Sequence, residues 1–80
     1  METLINTLTE SLKFQYEMTV NAVNEYVGNP GSKTLEFACR NQQEKLNNML
    51  ENAVKALVEA GMNNADAFET VVKINEKIEH

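Results

Sequence analysis

The sequence predicts an all-α protein: an antiparallel helical hairpin of two long helices, a shorter third helix, and assembly as a helical-bundle homo-oligomer. Three observations carry this expectation. Apolar residues recur at three- and four-residue spacings along most of the chain, which is the period of amphipathic helices and not of strands. Turn formers interrupt that period at only two places, Gly28 to Ser32 and Gly61 to Asn64. A chain of 80 residues with a single cysteine also lacks an internal disulfide, and small domains without such a staple tend to self-associate.

Helix 1 is expected from about residue 3 to 27, with Leu4, Leu8, Leu12, Tyr16, Val23 and Tyr26 on one broad face. Its start is weak. Asn6, Thr7, Thr9 and Ser11 are poor helix formers, and Thr7 with Glu10 matches a capping box. A kink there would leave residues 1–6 as a separate arm. In the first break, Pro30 and Gly31 suit the central positions of a type II turn, Gly28 a helix C′ position and Ser32 the next N-cap. So short a connection forces helices 1 and 2 to lie antiparallel.

Helix 2 is expected over about 33–60. Leu35, Cys39, Gln42, Leu46, Met49, Ala53, Ala56 and Ala60 follow an alternating spacing of four and three, an unbroken heptad seam that Leu50 and Leu57 widen. The alanines at its far end permit close approach of another helix. Gly61 then ends the helix, Asn63 or Asn64 opens the next, and Asp66 sits in the first turn. Helix 3, about 64–78, carries Phe68, Val71, Val72, Ile74 and Ile78 as its apolar face. An isolated helix of this length is marginal, so it must dock on the others.

Composition excludes several functions. A net charge of -5, from 7 basic and 12 acidic residues, provides no basic face for a nucleic acid polymer or an anionic membrane surface. No apolar run is long enough for a membrane span, the first residues lack the pattern of a signal peptide, and lone-cysteine usage points to the cytoplasm. No catalytic constellation, zinc motif or phosphate-cradling loop occurs. No catalytic residue, metal ligand set or cofactor is therefore assigned, and an enzyme is not expected. Cys39 lies among the apolar residues of the seam and reads as a small core hydrophobe. Glu76 and His80, four residues apart, make too poor a pair to hold a metal.

The residues left to carry function are apolar or lie at polar exceptions. Phe14 and Met18 stand off the main stripe of helix 1, and Phe37 stands opposite the heptad seam of helix 2. Apolar residues on second faces of so small a protein point to subunit contacts or a protein partner. Gln42 is a polar residue at a core position of the seam, where a buried amide can fix register or oligomer state. Lys33 and Arg40 flank Phe37 near a helix N-terminus, a combination able to hold a small anion.

Two family resemblances arise at the central turn. The hairpin around Asn29-Pro30-Gly31-Ser32 is similar to the needle subunits of type III secretion systems, although the second proline of that turn is missing. That resemblance implies a filament subunit. Pro30-Gly31-Ser32-Lys33 followed by Leu35 resembles the start of the second hairpin helix in phage sponges that sequester cyclic nucleotides, here without the tryptophan of that pattern. It implies an oligomer in which an aromatic of helix 1 stacks on a base and Lys33 meets phosphate. The reading the residues favour is a small non-catalytic helical protein that oligomerises and engages or inhibits a protein partner. A phage-type anti-defence inhibitor fits that description. The sponge and the filament subunit stand as alternatives.

Overall fold

The structure is a computed structural model and describes residues 1–79. His80, and with it the Glu76–His80 pair, lies outside the described residues. Among those described, all regular structure is helical: α1 spans Glu2–Gly28, α2 Lys33–Glu59 and α3 Asn64–Glu79.

Helix α1 is continuous from Glu2, which corrects the expected kink and separate arm. The Thr7–Glu10 capping box does not form. The hydroxyls of Thr7 and Thr9 instead donate back to the carbonyls of Thr3 and Ile5, at 2.9 and 2.7 Å, the usual adaptation of these residues to a helix interior. Leu4, Ile5 and Leu8 hold the first turns down by packing on the core. Tertiary burial here outweighs weak local propensity.

The first turn also differs from expectation. Ser32 N–H donates to the Asn29 carbonyl at 3.0 Å, closing a turn with Pro30 and Gly31 at its centre. Among the described residues only Gly61 has a positive φ, so this turn is not type II, which requires one at Gly31. Gly28 is likewise the last residue of α1 and no left-handed cap; Asn29 ends the helix with φ −141°. Ser32 does cap α2, its hydroxyl accepting from Leu35 N–H at 3.3 Å.

The second turn is a Schellman motif. Gly61 sits at φ 112°, its N–H donates to the Val58 carbonyl, and Met62 N–H reaches the Leu57 carbonyl at 3.1 Å. Asn63 then caps α3: its Oδ1 accepts from Asp66 N–H at 2.8 Å and its amide donates to the Asp66 carboxylate at 3.0 Å.

Two tight turns give two reversals, so α3 runs back along α2 and also touches α1. The core lies at this three-helix end. Leu12, Ala53, Leu57, Ala67, Val71 and Ile74 are buried there, surrounded by half-buried residues from Leu4 to Leu8, Leu46 to Val58 and Met62 to Ile78. Helix α3 spans about 24 Å at 1.5 Å per residue, whereas the molecule is 46 Å long. The rest of α1 and α2 projects as a two-helix arm. Past Thr19 in α1, and before Ala53 in α2, no residue is fully buried. The arm's facing side chains, among them Val20, Val23, Tyr26, Leu35 and Cys39, are only half-buried.

Candidate docking site

Where the arm meets the three-helix end, the seam turns polar. Gln15 and Thr19 are both buried on the inner face of α1. The Gln15 amide donates to Oε1 of Gln42 at 2.7 Å. The Thr19 hydroxyl lies 2.8 Å from the Gln15 carbonyl and 3.2 Å from the Gln42 carbonyl. Every buried side-chain polar atom among the described residues has a partner. Gln42 thus spends its side-chain oxygen within the chain, pairing α1 with α2. The heptad spacing singles out Gln42; Gln15 and Thr19, one turn apart on the opposing helix, complete the network and were legible as polar residues inside the apolar stripe of α1.

The predicted contact residues are all exposed. Phe14 is 65% exposed and Met18 38% exposed on α1. Phe14 lines a shallow polar depression with Glu10, Lys13 and Glu17. Phe37, 73% exposed on α2, lines neither that depression nor the groove described next. Beside it, Arg40 is already engaged by Glu36, four residues before it, at 2.8 Å. Glu36 also lies in the first turn of α2, where a negative charge faces the helix N-terminus. The Lys33–Arg40 region therefore contains its own counter-anion. No group of three or more metal-ligating side chains gathers among the described residues.

An apolar groove lies elsewhere. Between α2 and α3 runs a groove of about 400 Å³, floored by Leu50, Val54 and Val71 and rimmed by Phe68, Val72, Glu51, Lys55 and Asn75. Phe68 is 63% exposed and Val72 37% exposed. Of the expected apolar face of the third helix, Val71 and Ile74 are buried while Phe68 and Val72 stay exposed. The buried face of α3 is Ala67, Val71 and Ile74. Phe68, Val72 and Asn75 follow the i, i+4, i+7 spacing of a second stripe beside it. That spacing was visible in the sequence, with Phe68 and Val72 as an apolar pair beside the buried stripe and the polar Asn75 at its end.

Comparisons with protein families, characterised proteins and solved structures return no match to this chain. No described helix is long and apolar enough to cross a membrane.

Proposed function

We propose that this chain is a non-catalytic helical binding module that assembles with itself and engages or inhibits a protein partner by docking helices on its apolar faces. The observation that carries this reading is the α2–α3 groove. Its lining is dominated by aliphatic side chains and one phenyl ring, with polar groups confined to the rim, which is the anatomy of a protein-docking surface. An exposed aromatic ring such as Phe68 belongs to the residue types enriched at protein interfaces.

The test is site-specific photo-crosslinking in cells that express the protein. A photo-reactive residue in place of Val72, on the groove rim, gives an adduct of discrete mass. The same residue in place of Asn24, exposed on the arm, gives none. Phe68→Ser abolishes the adduct from position 72 while helicity by circular dichroism stays unchanged. Absence of any adduct at position 72 removes the binding reading.

A further inference from the structure

We propose that the α2–α3 groove is occupied by a second copy of this chain, seated about a two-fold axis so that the two α2 helices run antiparallel. This names the occupant of the groove and so rests on the binding reading above. The rim charges argue for it. Glu51 and Lys55 stand one turn apart on α2 at the edge of the groove. The same Glu-to-Lys or Glu-to-Arg spacing is closed as an ion pair at Glu36–Arg40 and at Glu69–Lys73, at 2.8 and 3.1 Å. Glu51 and Lys55 form no such pair among the described residues. A second helix laid antiparallel across this face reverses the order of charges, so each Glu51 meets the second copy's Lys55 and each Lys55 the second copy's Glu51. The motif is self-complementary under a two-fold rotation, which is the requirement of an isologous interface.

Charge also separates a second copy from other occupants. The whole chain carries a net charge of -5, so two copies repel one another over most approaches. The groove rim carries one acid and one base, so on this face that repulsion is locally cancelled. With no net charge it has little to draw a strongly acidic or strongly basic foreign segment. The apolar content then supplies the attraction. Phe68 and Val72 stand exposed on one rim, and Leu50 and Val54 lie on the floor beside them. In the paired arrangement each copy contributes one Phe68 to the apolar seam.

The experiment is absolute mass by light scattering behind a sizing column, from about 1 to about 100 µM, because a self-association equilibrium moves with concentration. The full chain runs at twice its 9.0 kDa mass at the upper end of that range. Glu51→Lys makes the rim positive on both copies and raises the dimer dissociation constant at least about tenfold, since two attractive pairs become repulsive. The double variant Glu51→Lys/Lys55→Glu restores opposite charges and brings the constant back to within about threefold of the starting value. Both residues are exposed, so helicity is unchanged in each variant. A monomer at every concentration overturns the proposal, as does a dimer indifferent to Glu51→Lys or one that the double variant does not restore. The crosslink at position 72 separates the two readings. A foreign adduct from a protein monomeric in solution overturns the self-pairing and leaves the binding module standing. No adduct of any mass removes both.

Discussion

At the scale of the residue, the most informative group is the amide pair Gln15–Gln42 with Thr19 beside it. A buried amide that loses its partner keeps its desolvation cost, about 1–3 kcal/mol, whereas an apolar pair of similar shape can be neutral. Gln42→Leu therefore lowers stability to urea unfolding by about 1–2 kcal/mol. Gln15→Leu/Gln42→Leu recovers most of that loss, a non-additivity that a double-mutant cycle measures directly. The pair also selects register. Sliding α1 against α2 by one heptad keeps apolar against apolar in most layers but sets Gln15 against a hydrocarbon. The sequence alone marks Gln42 as anomalous. It does not say which of the polar residues on α1 will face it, because that depends on the turn geometry that sets the offset between the helices.

At the scale of the element, helix ends were more legible than helix faces. Ser32 as a cap, Gly61 as a stop and Asn63 as a start each follow from one backbone requirement. The two turn glycines make the contrast testable. Gly61 holds φ 112° with open space around it, so a side chain there is opposed only by backbone strain. Gly31 has no positive φ, and nothing lies within 4 Å of an added Cβ. Gly61→Ala is expected to cost about 1 kcal/mol or more, and Gly31→Ala to be neutral or to stabilise by up to about 1 kcal/mol. Thermal unfolding of the two variants checks both signs. Faces are harder to assign because a helix wheel gives angles but not neighbours. Phe68 is as apolar as Val71 and only three residues away, yet one lines an open rim and the other is buried. What separates them is the direction from which α2 approaches, a tertiary fact. The weak start of α1 shows the same limit from the other side, since Leu4, Ile5 and Leu8 are held by contacts that propensity does not contain.

At the scale of the whole molecule, the chain is a rod with unequal ends. Its radius of gyration is 14.4 Å, against about 12 Å for a compact domain of this length. One end has three helices and all the fully buried hydrophobic residues. The other has two helices and a half-wet seam. Stability should follow that division, because regions with few buried contacts open first. Amide hydrogen exchange should therefore be at least about tenfold faster over residues 20–40 than over residues 50–58, in the absence of any bound partner. Uniform protection along α1 and α2 would show that the arm is as firmly held as the core.

The turn at Asn29–Ser32 acquires a further use from its position at the far pole of this rod. Its residues are exposed apart from the half-buried cap Ser32, and the glycines on either side of Pro30 have empty space around them. Foreign sequence grafted between Pro30 and Gly31, or new chain ends opened there, would enter and leave without crossing the core. Cargo carried at this pole would sit at the opposite end of the rod from the three-helix core, a separation that would suit the molecule to be a spacer between two attached proteins.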